Sequence, residues 1–108
     1  MIRSARAQPR KVLIVDDDAD WRSFLRGALE ELGYEADEAS SGEDALRALG
    51  ERAYRIMLLD LYMPGLGGEE VAQRIPSGGP QIVFCTGATA QDAGHALGGG
   101  AHYYLPKC

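Results

Sequence analysis

Three short, uninterrupted apolar runs constrain the fold of this chain more than any other feature. They are V-L-I-V at 12–15, I-M-L-L at 56–59 and I-V-F-C at 82–85. None has a polar residue at every second position, so each is typical of a strand that is covered on both faces. Amphipathic segments separate the runs, and this alternation predicts an α/β fold with a parallel sheet and helices on both faces.

The segments between the runs predict the remaining elements. A helix follows the first run, with its apolar residues spaced three or four apart: Trp21, Phe24, Leu25, Ala28, Leu29 and Leu32. Gly33 is placed to end this helix, and Ser41 with Asp44 is a capping-box-like start for a second one. We also predict a strand at 34–39, a short helix at about 69–75, a weak helix at roughly 90–97 and a last strand near 103–105.

Length and charge restrict the class of protein. A chain of 108 residues with 45% hydrophobic and 25% charged residues is typical of one globular domain. Residues 1–11 hold four basic and no acidic side chains, whereas the remaining residues hold seven basic and sixteen acidic ones. We therefore expect a flexible basic arm over residues 1–10, a domain over 11–108, and no direct binding of nucleic acid by so acidic a body.

The apolar runs and the cysteines indicate where in the cell the protein is expected to be. No apolar run approaches the roughly 20 residues that span a bilayer, and the N-terminus has no apolar signal-peptide region. Cys85 and Cys108 do not make a disulfide framework. We expect a cytoplasmic protein that does not contact membranes.

Acidic side chains follow two of the apolar runs directly. Asp16 and Asp17 come after the first run and Asp60 after the second. Because the carboxyl ends of parallel strands share one edge of the sheet, these three acids are expected to converge. Hard oxygen ligands of this kind suit Mg²⁺. The alternative is that they are solvated loop acids or helix caps, the roles that we assign to Asp18 and Asp20.

A phosphoryl site is the chemistry that these strand ends favour. The Asp60 carboxylate is suited to accept a phosphoryl group as an acyl phosphate. Thr86 and Lys107 end the last two strands, where a hydroxyl and an ammonium group can contact phosphoryl oxygens. Taken alone, Thr86 is more simply a β-branched strand end and Lys107 a solubilising charge. Tyr104 is either ordinary core or an aromatic residue that changes rotamer.

Over residues 11–107 the chain resembles the receiver domain of bacterial two-component response regulators. The matching motifs are V-D-D at the first strand end, L-L-D-L-Y-M-P-G around Asp60, the strand end at Thr86 and Y-L-P-K at 104–107. The resemblance implies a flavodoxin-like, doubly wound five-stranded parallel sheet of order 2-1-3-4-5. It implies a switch in signal transduction that supplies its own phosphotransfer and autodephosphorylation chemistry, rather than a turnover enzyme.

The resemblance also implies a role for each site residue. Asp60 is the phosphoacceptor, and a sensor histidine kinase or phosphotransfer protein is the donor. Asp17 binds Mg²⁺ directly, Asp16 acts through a water molecule, and Asp60 and the backbone carbonyl of Tyr62 complete the metal ligands. The remaining residues of the site are the phosphoryl-contacting Lys107 and the switch pair of Thr86 and Tyr104.

Some features depart from the family pattern. The stretch from Asp60 to Thr86 is short, the predicted fourth helix is broken by glycines, and the chain stops at Cys108, before a fifth helix. If that helix is missing, exposed apolar surface favours self-association, so a homodimer is one expected state. The output partner is not named by the sequence.

Two other functions stay open. One is a pseudo-receiver, an interaction module that is never phosphorylated, although such modules typically lose part of the Asp, Thr and Lys set. The other is a magnesium-dependent phosphohydrolase with an aspartyl nucleophile. That class needs a second carboxylate two residues after the nucleophile, where this chain has Tyr62.

Overall fold

A computed structural model describes residues 10–86 and 103–106, with side chains described for residues 10–85. The elements in chain order are β1 (Lys11–Val15), α1 (Ala19–Glu31), β2 (Glu35–Ala39), α2 (Gly42–Glu51), β3 (Ile56–Leu59), α3 (Gly68–Gln73), β4 (Gln81–Thr86) and β5 (Tyr103–Pro106). The predictions for the arm at 1–10, the helix at 90–97, Lys107 and the chain end lie outside the described residues, apart from Arg10.

The strands form one parallel sheet in the order β2-β1-β3-β4-β5, which confirms the predicted topology. The register brings the carboxyl ends of neighbouring strands together. Val15 pairs with Leu59, Leu59 pairs with Phe84, and Thr86 pairs with Pro106. The residues that follow these strands therefore lie along one edge of the sheet, as expected for this class of fold.

The main hydrophobic core lies between the sheet and the pair of helices α2 and α3. Leu13, Met57 and Phe84 point from adjacent strands into this core and are fully buried. Ala45 of α2 and Val71 of α3 meet them from the helix side. The uninterrupted apolar runs predicted strands that are covered on both faces of the sheet, and helices α2 and α3 cover this face.

Helix α1 lies on the opposite face, over β1 and β2. Asp18 is its N-cap, and Gly33 lies just beyond its end at φ 89°, where the sequence predicted that the helix ends. Its apolar stripe is only partly covered, however: Phe24 is 64% exposed and Leu32 is 68% exposed. Among the helices that the structure describes, α1 is alone on this face of the sheet.

Helix α3 is shorter than predicted, ending at Gln73 rather than near residue 75. Pro76 explains the difference, because the residue before a proline is disfavoured in helical conformation. Helix α2 begins as predicted, with the Ser41 hydroxyl accepting a hydrogen bond from the Asp44 backbone N–H at 3.1 Å.

Within the described ranges, no helix combines the length and the apolar character needed to cross a bilayer.

Candidate functional site

Three carboxylates meet at the carboxyl edge of the sheet. One oxygen each from Asp16, Asp17 and Asp60 lies within 4.8 Å of the other two. The cause is the pairing of β1 with β3, in which Val15 is opposite Leu59 and the Asp60 N–H donates to the Val15 carbonyl at 2.9 Å. The residues after the two strands are thereby held side by side, as the sequence predicted.

The burial of these acids suits a cation. Asp16 is 1% exposed and Asp60 is 6% exposed, whereas Asp17 faces solvent. Carboxylates so close together repel one another, and a buried charge is stable only when it is compensated. Mg²⁺ takes one or two carboxylates and retains several water molecules, so a cluster with one open side fits its requirements.

The turn between β1 and α1 gives each of its acids a different task. The Asp16 N–H donates to the Ala39 carbonyl at 3.1 Å, and the Asp16 Oδ1 accepts from the Asp18 N–H at 2.9 Å. The Asp18 carboxylate accepts from the N–H groups of Asp20 and Trp21, at 3.0 and 3.2 Å. Asp18 is therefore a helix cap, as predicted.

The Asp60 carboxylate is positioned by the backbone that follows it. The Tyr62 N–H approaches Asp60 Oδ1 at 3.4 Å, and the Gly68 N–H donates to the Leu61 carbonyl at 3.0 Å. A Cβ atom on Gly68 would collide with the Asp60 carbonyl oxygen, so the start of α3 packs directly against the backbone of the site. Gly68 was not among the predicted site residues, although the glycine pair at 67–68 was a signal of close backbone approach.

Arg22 is a second residue that was not predicted to belong near the site. Its guanidinium Nη1 donates to the backbone carbonyl of Asp16 at 2.7 Å, and its Nε donates to Glu38 Oε1 at 2.9 Å. Arg22 does not belong to the apolar stripe from which the helix was predicted. One feature of the sequence could have indicated a special role for Arg22: it is a cation near the N-terminus of a helix, where the helix dipole disfavours positive charge.

Glu38 links two arginines of α1 to the edge strand β2. The hydrogen bond from Arg26 lowers the pKa of the Glu38 carboxyl, desolvation opposes that shift, and the hydrogen bond from Arg22 adds to it. Glu38 pairs with Ile14 across the β1–β2 ladder, which places it beneath α1. The ion pairs therefore tie α1 to β2 close to the acidic turn.

The remaining predicted site residues are only partly described. Thr86 and Tyr104 lie in β4 and β5, where Phe84 pairs with Tyr104 and Thr86 with Pro106. Their side chains, and all of Lys107, lie outside the described residues. Tyr62 follows the site directly and its side chain is 59% exposed.

Comparison with known proteins identifies the family. The family model of the response regulator receiver domain matches residues 12–108. The chain belongs to the response regulator receiver domain family. Receiver domains are signalling switches of two-component systems, and they bind Mg²⁺ at an acidic pocket, which is the kind of cluster that Asp16, Asp17 and Asp60 form here.

Curated relatives align with most of this receiver domain. The transcriptional regulatory protein ResD of Bacillus subtilis is 36% identical over 90% of the chain, and the response regulator receiver protein CpdR of Brucella abortus is 36% identical over 75%. The matches cover 41% of ResD and 69% of CpdR. The chain thus spans less than half the length of ResD.

Solved structures share the fold. The response regulator TrrA of Thermotoga maritima, determined in complex with Mg²⁺-BeF, has a TM-score of 0.81 at 33% identity, covering 91% of this chain and 86% of its own. The chemotaxis protein CheY4 of Vibrio cholerae has a TM-score of 0.84 at 26% identity, covering 93% of this chain and 87% of its own. Both agree with the doubly wound sheet described above.

Proposed function

We propose that this receiver domain accepts a phosphoryl group on Asp60 in a reaction that depends on Mg²⁺, and that a histidine kinase or phosphotransfer protein is the donor. The observation that carries the proposal is the meeting of the Asp16, Asp17 and Asp60 carboxylates within 4.8 Å at the carboxyl edge of the sheet. Membership of the receiver family and the likeness to a Mg²⁺-BeF complex of a response regulator support it.

Asp60 is suited to act as the nucleophile because its backbone is held in place. It follows a buried strand directly, and its N–H is bonded to the Val15 carbonyl at 2.9 Å. In the transfer, a carboxylate oxygen of Asp60 forms a bond to phosphorus. The bond from phosphorus to the donor's imidazole nitrogen breaks, and that nitrogen keeps the electron pair. Catalysis of such a transfer is mostly positioning and charge stabilisation.

The residues that would hold Mg²⁺ are Asp16, Asp17, Asp60 and the backbone carbonyl of Tyr62. When bound, the cation neutralises negative charge on the carboxylates and on the incoming phosphoryl oxygens. Asp16 and Asp60 contribute buried oxygens and Asp17 a solvent-facing one. This division leaves the open side of the cluster for the donor.

The other assignments rest on the family resemblance. Thr86 and Lys107 would contact the phosphoryl oxygens, and Thr86 with Tyr104 would form the switch that changes what the domain binds. Thr86 is the last residue of β4, the strand next to β3, and Tyr104 lies in β5, opposite Phe84 of β4, which supports the roles of these two residues. The output partner is a property of the whole protein, and the match covers 41% of ResD.

Incubation with acetyl phosphate, with and without Mg²⁺, followed by intact mass spectrometry tests the proposal. We expect the chain to gain the mass of one phosphoryl group only when Mg²⁺ is present, and Asp60→Asn to abolish the gain. Asp18→Asn is the matched control, because asparagine preserves the helix cap and Asp18 lies outside the cluster. A parent chain that stays unlabelled with Mg²⁺ present would instead favour the pseudo-receiver alternative.

A further inference from the structure

We propose that Arg22 is a positioning residue for the metal-binding turn, and that it acts through the backbone carbonyl of Asp16 rather than by touching the metal or the phosphoryl group. The inference rests on the proposed function, since it assumes that Asp16 and Asp17 bind Mg²⁺. It concerns a residue outside the acidic cluster that holds the backbone of the turn.

The Arg22 side chain spans three parts of the fold. It leaves α1, reaches the Asp16 carbonyl with Nη1 at 2.7 Å and reaches Glu38 of β2 with Nε at 2.9 Å. The side chain is only 16% exposed. Two charge-assisted hydrogen bonds from a planar, partly buried guanidinium fix its direction more firmly than a solvated surface ion pair would.

The carbonyl that Arg22 binds belongs to the peptide plane between Asp16 and Asp17. That planar unit includes the nitrogen and the Cα atom of Asp17. A hydrogen bond that holds it therefore restricts where the Asp17 carboxylate lies. The Asp16 N–H and side chain are held by Ala39 and by the Asp18 N–H. These two hydrogen bonds involve only backbone groups and the Asp16 side chain. The third, from Arg22, is made by the side chain of a residue outside the acidic cluster.

The position of Arg22 in α1 is electrostatically unfavourable for a positive charge, which suggests that the residue has a specific role there. It is the fourth helical residue after the Asp18 cap, near the positive end of the helix dipole, where acids are preferred. Arg26, one turn later, binds the other oxygen of Glu38 at 2.9 Å and makes no described contact with the acidic turn. Arg26 therefore already connects α1 to β2. The contact that distinguishes Arg22 from Arg26 is its hydrogen bond to the Asp16 carbonyl.

Arg26 also provides a matched control. Arg26→Gln removes an ion pair to Glu38 but leaves the bond between Arg22 and the Asp16 carbonyl. Arg22→Gln removes an ion pair to the same Glu38 and that bond as well. The comparison separates positioning of the turn from general loss of charge pairing between α1 and β2.

The experiment is a Mg²⁺ titration of the parent, Arg22→Gln, Arg22→Lys and Arg26→Gln, followed by the fluorescence of Trp21, the one tryptophan of the chain. The rate of phosphorylation by acetyl phosphate is then measured over the same Mg²⁺ range, and thermal melting reports whether each variant is folded. We expect Arg22→Gln to raise the half-saturating Mg²⁺ concentration about tenfold, the lower end of the effect of residues that orient metal ligands.

The plateau rate at saturating Mg²⁺ is expected to stay within about twofold of the parent, because Arg22 touches no reacting group. Arg22→Lys should recover part of the affinity, since an ammonium can donate to the carbonyl but lacks the planar fork with which the guanidinium also binds Glu38. Arg26→Gln should titrate like the parent. If Arg22→Gln does not fold, Arg22→Met replaces it, because methionine is of similar length but has no group that donates to the carbonyl. A weaker Mg²⁺ response is then expected for Arg22→Met and not for Arg26→Gln.

Equal shifts for Arg22→Gln and Arg26→Gln, or a parent-like midpoint for a folded Arg22→Gln or Arg22→Met, would overturn the proposal. A parent that shows no Mg²⁺ response and no phosphoryl uptake would overturn the proposed function and this inference with it. A parent that responds normally while the Arg22 variants do not differ from it would overturn this inference alone.

Discussion

Four acids within five residues of the β1–α1 turn have different tasks, and backbone hydrogen bonding separates them. Asp16 and Asp17 contribute oxygens to the cluster with Asp60, whereas the Asp18 carboxylate is occupied by the first N–H groups of α1. Asp20 lies in the first helical turn, where the helix dipole favours an acid. Chain position makes Asp18 rather than Asp16 or Asp17 the helix cap, because the N-cap residue directly precedes the first residue of the helix.

The first prediction at the residue scale concerns Asp17. We expect Asp17→Asn to raise the Mg²⁺ concentration at half-saturation by more than about tenfold, because loss even of a residue that only orients a metal ligand costs about that much. Asp20→Asn should leave the midpoint unchanged, since Asp20 lies outside the cluster. Trp21 fluorescence is the measurement, and equal midpoints for Asp17→Asn and the parent would place the metal elsewhere.

The second residue-scale prediction concerns the hydrogen bond from Tyr54 to Asp37, far from the site. The Tyr54 hydroxyl donates to Asp37 Oδ2 at 2.7 Å. That bond, opposed by desolvation and aided by Lys11, lowers the pKa of the Asp37 carboxyl below its ordinary value of 3.8. We expect Tyr54→Phe to cost about 1–2 kcal/mol of unfolding free energy at pH 7.

The sign of the pH dependence follows from the direction of the shift. A lowered pKa of the carboxyl contributes stability above its ordinary, unfolded value, and this stability is lost as pH falls through the folded pKa. The difference between the parent and Tyr54→Phe in urea unfolding should therefore shrink below about pH 4. A difference that stays constant from neutral pH to acid pH would show that the bond does not depend on the ionised carboxylate.

At the scale of single elements, two glycines in helices have opposite roles. Gly27 lies in the exposed part of α1, and no atom comes within 4 Å of the position that a Cβ would occupy there. At Gly68 the same position is filled by the backbone of residues 60–61. The first glycine only weakens its helix. The second allows α3 to start against the backbone that follows Asp60.

This difference predicts opposite effects of one substitution. Gly27→Ala should stabilise the chain by about 0.5–1 kcal/mol, because alanine loses less backbone entropy in a helix. Gly68→Ala should destabilise it by about 1–3 kcal/mol through overpacking and slow phosphorylation of Asp60. Urea unfolding and phosphorylation rates measure both effects. Equal stability changes for the two variants would contradict the close approach at Gly68.

Element type was more predictable than the contacts between elements. The apolar runs predicted three strands to within one residue at each end, because short runs of this kind between amphipathic segments are typical of strands that are covered on both faces. The apolar spacing predicted the helix α1. Helix α3 was predicted too long because Pro76 restricts the residue before it, an effect that apolar spacing does not report. Arg22 was missed because its partner is a backbone carbonyl and Glu38 is distant in sequence, so no local pattern reports the contact.

At the scale of the whole molecule, the two faces of the sheet differ in cover. The α2 and α3 face holds the continuous core, whereas α1 leaves Phe24 and Leu32 largely exposed on the other. The strand order came from the family resemblance, since runs of apolar residues do not by themselves define which strands are neighbours.

Convergence of the site is likewise a property of the whole topology. Asp16 and Asp60 are separated by most of the first half of the chain, and only the parallel pairing of β1 with β3 brings them together. That convergence was predictable once a parallel sheet was assumed. The orientation of the turn by Arg22, and the backbone contact at Gly68, depend on packing details that a single sequence does not report.

Locating the phosphoryl group on the chain is the decisive experiment for the role of Asp60. After incubation with acetyl phosphate and Mg²⁺, borohydride converts an aspartyl phosphate to homoserine, and peptide mass spectrometry identifies the residue converted. We predict homoserine at position 60 alone, in the presence of Mg²⁺ and not in its absence. Conversion at Asp16, Asp17 or any other acid, or none with Mg²⁺ present, would contradict that role.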